Sequence, residues 1–198
     1  MTPQRRQRLL SVLGKRQMDL TVLLENVFDP HNVSAVMRSC DAVGIQDVYV
    51  LNTKIPLHKK WGFKSSANAS QWLTVHQFDN LQDCFAAIRQ RYQFIYAGYL
   101  SDRSQDIYEM DLTRSMCLVF GNETYGVSDE CRELTDGEFV IPQTGIIKSL
   151  NISVACAVTL YEGFRQRRLA GKYEAPETIS GRKIEIAKKW GLNNQEIV

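Results

Sequence analysis

Apolar and polar positions along the chain alternate between two periods. An amphipathic, basic stretch near residues 3–16 reads as a helix, and the run LTVLLENV at 20–27 reads as a buried strand. From Asn32 to Val43 the apolar residues Val33, Val36, Met37, Cys40 and Val43 recur at helical spacing and make a single core stripe. DVYVLN then reads as a strand, followed by a polar loop over 54–71, a short strand WLTVH, a helix near 80–91 and a strand FIYAGYL. The remainder predicts a strand MCLVFG, a short helix near 127–134, a strand EFVIP and a long helix from Asn151 to about Arg168. Strands separated by helices of this length predict an α/β fold, a parallel sheet flanked by helices. Beyond Gly171 a polar tail leads into one more basic helix, IEIAKKWG.

Composition narrows the classes. The 198 residues are 44% apolar, enough to bury one full core. No apolar run approaches the ~20 residues of a membrane span, and MTPQRRQRLL lacks the apolar centre of a signal peptide. The expectation is a soluble protein with no membrane partner. Cys40, Cys84, Cys117, Cys131 and Cys156 are scattered, with no C-x-x-C pair, so neither a zinc site nor a disulfide framework is expected and a reducing cytoplasmic setting fits.

The overall charge of +2 conceals an asymmetry. Residues 101–140 hold ten acids against Arg103, Arg114 and Arg132, a net −7, so the rest of the chain carries +9. Arg5, Arg8 and Arg16 near the start and Arg165 and Arg167 at the end of the long helix contribute to that excess. Such patches attract polyanions through phosphate neutralisation, although solvated helix faces have the same composition.

In open parallel sheets ligands bind beyond the carboxyl ends of the strands. Three polar loops fall there: ENVFDPHN, GNETYGVSDE and PQTGIIKSLN. No G-x-G-x-x-G, Walker lysine loop or G-x-S-x-G elbow is present, which argues against the usual dinucleotide fold, a P-loop enzyme and a serine hydrolase. Taken singly, the loop residues have ordinary readings. Asn32 fits a helix cap, His31 a loop residue, Arg38 a surface arginine opposite the core stripe, and Glu123 a cap for the next helix or a chemical group. The polar step Ser149-Leu150-Asn151 suits a helix start.

In order and spacing, LTVLLENVFDPHNVSAVMRSCDAVGI, LVFGNETYGVS and IPQTGIIKSLNISVACAVTLYE closely resemble the three motifs of the SPOUT RNA methyltransferases. The flanking RRQRLLSVLGKRQMDLTVLLENV and RQRRLAGKYEAP are similar to the TrmH subgroup, which 2′-O-methylates a guanosine in the tRNA D-loop.

The resemblance implies a SPOUT-type sheet with a deep C-terminal trefoil knot, which general topology rules would argue against. It implies a basic docking helix over 1–19, a methyltransferase domain over 20–170 and an extension with a basic helix over 171–198. S-adenosylmethionine would be bordered by Gly98, Gly121, Ile141, Ser149 and Leu150. Arg38, Asn32, Glu123, Ser149 and Asn151 would form the catalytic set, with Arg38 activating the ribose hydroxyl or stabilising its alkoxide. Arg5, Arg8, Arg16, His31, Arg165 and Arg167 would contact tRNA, and a homodimer would complete the site. The alternatives are a related enzyme acting on ribosomal RNA or the tRNA wobble nucleotide, and a catalytically silent RNA-binding module. Trp61 and Phe63, among Lys59, Lys60 and Lys64, do not match the family pattern and leave substrate breadth open.

Overall fold

The computed structural model describes residues 1–57, 69–174 and 179–193. Lys59, Lys60, Trp61, Phe63 and Lys64 lie outside the described residues. The elements run α1 (Pro3–Gly14), β1 (Leu20–Glu25), α2 (Pro30–Ala42), β2 (Asp47–Leu51), a single 3-10 turn (Ala69–Gln71), β3 (Thr74–Phe78), α3 (Leu81–Arg89), β4 (Phe94–Gly98), β5 (Gln105–Asp106), β6 (Met116–Phe120), α4 (Asp129–Arg132), β7 (Gly137–Val140), α5 (Ile152–Leu169) and α6 (Arg182–Lys189). The seven strands are parallel neighbours in the order β3-β2-β1-β6-β4-β7-β5. The two-residue strand β5 is too short to leave a periodic signal in the sequence.

The strands are apolar on both sides because helices cover both faces. Successive side chains point to opposite faces, so Leu20, Val22 and Leu24 of β1 join Val48, Val50, Leu118 and Phe120 on one face. That face packs against the α2 stripe of Val33, Val36, Met37, Cys40 and Val43 and against Ile152, Cys156 and Leu160 of α5. Leu23, Tyr49, Leu51, Cys117 and Val119 point the other way, onto Cys84, Phe85 and Ile88 of α3 and Cys131 of α4. Each fully buried aliphatic side chain here is worth about 1.5–3 kcal/mol relative to exposure. All five cysteines are buried and unpaired as disulfides.

A third, smaller cluster joins the ends of the chain. Leu9 and Leu13 of α1 pack with Ile186 and Ala187 of α6, with Trp190 and with Leu192.

Two arginines expected at an RNA-facing surface belong to the interior instead. Arg167 has no exposed side-chain surface; its guanidinium ion-pairs with Asp19 and donates to the carbonyls of Leu112 and Arg114 and to Gln17 Oε1. Arg16 is also buried, donating to Ile45 O and pairing with Asp41. Their charge is spent on carbonyls and carboxylates left by loop ends, because a buried guanidinium must be paired. Their positions continue apolar stripes, Leu9-Leu13-Arg16 and Cys156-Leu160-Gly163-Arg167, and that spacing is the signal that composition conceals.

Helix α2 begins two residues earlier than its apolar pattern indicates. Asp29 is its cap, accepting from the His31 N–H at 2.8 Å, with Pro30 at the first position. His31 is therefore a first-turn helical residue and not a loop residue, and Asn32 is not the cap.

Candidate active site

The carboxyl ends of β1, β6 and β7 open onto one region, and the loops there are fastened to each other before any ligand is considered. Asn26 follows β1 with φ +50°, the only left-handed non-glycine among the described residues, a conformation asparagine tolerates. Its carbonyl accepts from Asn122 Nδ2 at 2.8 Å, while Asn122 Oδ1 accepts from the N–H groups of Thr124 and Tyr125. Reciprocal backbone bonds between Asn122 and Gly126 close the turn. A Cβ on Gly121 would lie 2.1 Å from the Gly126 carbonyl carbon, so glycine there is demanded by the turn itself. Asn122 stands inside the GNETYGVSDE loop, where nothing in the local pattern marks it out.

Three expected residues meet at the mouth of this region. Asn32 Nδ2 donates to Glu123 Oε1 at 2.9 Å, and Asn151 Nδ2 donates to Asn32 Oδ1 at 3.2 Å. An ionised carboxylate can only accept, so Glu123 fixes which way the Asn32 amide faces, and Asn32 in turn orients Asn151. Asn151 is the cap of α5, its Oδ1 accepting from the Ser153 N–H at 2.9 Å. Glu123 also accepts from the N–H groups of Phe28 and Asp29, so it joins two loops and does not cap α4; Ser128 does that. Burial pushes the Glu123 carboxyl up, but the bonds from Asn32 and the backbone N–H groups outweigh it and hold it below its ordinary value.

Two cavities flank the 122–126 turn. One, of about 330 Å³, is lined by Gly98, Gly121, Ile141, Ser149 and Leu150, the five residues expected to border a cofactor, together with Phe120, Phe139 and Ile152. Its walls are apolar side chains and loop residues, with Asn122, Glu123, Gln143 and Lys148 among the polar ones. At Gly98 an added Cβ would meet the Phe139 ring at 3.2 Å. The other, of about 970 Å³, is bordered by Phe28, Asn32, Tyr99 and Tyr125, and Glu123 lines both.

Arg38 is exposed on α2 and lines neither cavity. Six residues past Asn32, it is about 120° away round the helix. Arg38 thus lies on a different side of α2 from Asn32. Ser149 contributes to the cofactor-sized cavity and not to the Asn32–Glu123–Asn151 cluster. Among the basic residues, Arg5 and Arg8 are exposed and Arg165 is exposed but paired with Glu162, whereas Arg16 and Arg167 are buried as described.

Among the described residues no helix is long and apolar enough to cross a membrane, and no group of three His, Cys, Asp or Glu side chains could hold a metal ion.

Residues 19–161 match the SpoU rRNA Methylase family. A tRNA (guanosine(18)-2′-O)-methyltransferase of Thermus thermophilus is 41% identical over 177 residues, covering 88% of this chain and 89% of that protein. A solved A. aeolicus TrmH/SpoU tRNA modifying enzyme superposes with a TM-score of 0.86 at 36% identity over 98% of both chains. The SpoU methyltransferase AviRb of Streptomyces viridochromogenes, solved with the cofactor AdoMet, superposes with a TM-score of 0.70 at 26% identity, covering 77% of this chain and 59% of that one.

Proposed function

The chain belongs to the SpoU methylase family, and from that premise we infer that it transfers a methyl group from S-adenosylmethionine to the 2′-hydroxyl of guanosine 18 in tRNA. The observation that carries this reading is the meeting of Asn32, Glu123 and Asn151 beside a cavity lined by Gly98, Gly121, Ile141, Ser149 and Leu150.

The residues present fit S-adenosylmethionine. Phe120, Phe139, Ile141 and Leu150 offer apolar walls for a planar base, and the loop backbone around Gly121 and Ser149 offers donors and acceptors. When bound, the cofactor supplies an electrophilic methyl group on a sulfonium. Glu123 remains ionised at neutral pH and places negative charge at the boundary of that cavity. Asn32 is held between Glu123 and Asn151, and Asn151 between Asn32 and Ser153, yet each amide nitrogen keeps a second N–H with which to position a ribose.

Arg38 is the group to act on the hydroxyl. Its pKa above ~12 disfavours a role as base, so it clamps the neighbouring phosphate and stabilises the developing alkoxide. With Arg38 about 120° round α2 from Asn32, we read the site as shared in a homodimer in which each subunit lends Arg38 to the other's cavity. The wholly exposed Ile146 and the exposed Ile147, Val154 and Tyr161 around the start and outer face of α5 are consistent with a covered surface in the dimer. The deep trefoil knot formed by the segments around β7 and α5 belongs to the same proposal, supported by the strand order and the likeness to the A. aeolicus enzyme. Arg5, Arg8, His31 and Arg165 remain the proposed tRNA contacts, with 1–19 and 171–198 as docking extensions of a catalytic unit over 20–170. A cytoplasmic location follows from a tRNA substrate.

The test is mass-spectrometric mapping of ribose methylation in tRNA from cells with and without the protein. Loss of the 2′-O-methyl group at guanosine 18 alone is the expected result; an unchanged tRNA profile with a missing ribosomal methyl group would overturn the substrate.

A further inference from the structure

A cavity of about 500 Å³ lies away from the catalytic region, between α1, the end of α2 and the Trp190 end of α6. Its volume falls within the ~300–1,000 Å³ of small-ligand sites. Arg5, Arg8 and Arg16 line it with Asp41, Trp72 and Trp190.

The charges in this cavity are not equivalent. Arg16 is paired with Asp41 and lies over the Trp190 ring, 5.2 Å from its centroid, so both its charge and that face of the ring are engaged. Arg5 and Arg8 are exposed, and neither guanidinium has a partner among the described residues. Trp72 meets Trp190 edge to face, with centroids 5.5 Å apart at 88°, and is only partly buried. The cavity thus combines two cations that have no partner among the described residues with an incompletely covered indole whose orientation is fixed by a second one. That pairing matches a phosphate attached to a planar heterocycle.

We propose that this cavity is a docking subsite for one unpaired nucleotide of the RNA substrate, its base stacked on Trp72 and its phosphate held by Arg5 and Arg8. The inference rests on the reading that the substrate is tRNA. An unpaired nucleotide is required because a base inside a duplex has no free face to offer an indole. The subsite is remote from the chemistry: Asp41 is nine residues beyond Asn32 on α2, a distance of about 13 Å along the helix. The bound nucleotide is accordingly not the one that is methylated, and the subsite governs docking and register on the RNA.

Stacking and phosphate contacts differ in their response to salt, and this separates the proposal from a purely structural role for Trp72. Affinity of the full chain for unmodified tRNA transcript is measured across a salt series, with S-adenosylmethionine binding and thermal melting recorded on the same proteins. Trp72→Leu should weaken RNA binding on the order of 10- to 100-fold at every salt concentration with the slope unchanged. Trp72→Phe, which keeps a ring, should stay within about threefold by the same stacking scale. Arg5→Ala and Arg8→Ala should each lower the slope of log affinity against log salt by about 0.7 to 0.9. A Trp72→Leu protein that melts lower but binds tRNA like wild type would show that Trp72 is only a wall of the terminal cluster, and the subsite fails. Should methyl transfer to tRNA be absent while Trp72 still controls RNA affinity, the substrate reading fails and the subsite stands.

Discussion

Asn32 and Glu123, separated by 91 positions in the chain, are joined by a 2.9 Å hydrogen bond that ties the start of α2 to the turn after β6. Because Asn151 donates to the same Asn32, one carboxylate sets the orientation of two amides on two different helices.

That arrangement has a pH signature. Glu123 is held below its ordinary value of 4.5, so the native state binds its proton less readily than the unfolded chain does. Its stabilising contribution is fully present above the unfolded value and is lost as pH falls through the lowered native one. Glu123 is exposed, so solvent screening keeps the contribution to about 1 kcal/mol or less. Glu123→Gln should thus be slightly less stable than wild type at pH 7, with the two curves converging in acid. Urea titrations at a series of pH values check this, and a gap that widens in acid contradicts the assignment.

Replacement of Arg38 by alanine removes an exposed side chain and leaves the core intact. Melting temperature and S-adenosylmethionine affinity should remain near wild type while turnover falls about 10²- to 10³-fold. Mixed dimers of Arg38→Ala chains with Asn32→Ala chains should regain activity, since one of the two composite sites is then whole. A fully active monomer in sedimentation, or a variant within threefold of wild type, contradicts the shared site.

Arg167→Ala has the opposite profile. It leaves Asp19 and the carbonyls of Leu112 and Arg114 without their buried donor, which should cost about 3–5 kcal/mol in chemical denaturation. The salt slope of tRNA binding should not change, because Arg167 reaches no phosphate.

Glycines 121 and 145 make a paired test of the turn geometry. Gly121→Ala drives a methyl group into the Gly126 backbone and should abolish S-adenosylmethionine binding, measured by calorimetry. At Gly145 an added Cβ meets nothing within 4 Å, so Gly145→Ala should leave melting unchanged.

The sheet was readable because β1, β2 and β6 are buried on both faces and appear as short unbroken apolar runs, and the α2 stripe because its five core residues follow a helical period. The Asn151 cap was readable from local chemistry. The Asn32–Glu123 bond was not, since a contact across 91 positions leaves no local pattern and only the motif resemblance brought the two together. Position of the α2 cap was missed because Asp29-Pro30 precedes the first apolar residue of the stripe. Arg16 and Arg167 were misread because charge was counted without phase: both occupy the next place in an apolar period, and a guanidinium with enough carbonyl acceptors can fill such a place. The place of Arg38 on a different side of α2 from Asn32 follows from helix geometry.

The joining of α1 to α6 has a consequence for synthesis. Leu9 and Leu13 are translated long before Ile186, Ala187 and Trp190, the residues they pack against. At about 5–20 residues per second the first helix waits roughly 10–35 s for its partner. Throughout that interval the apolar face of α1 lacks its α6 cover, so this cluster closes late in synthesis, and a chain stalled before residue 182 would present that face to chaperones.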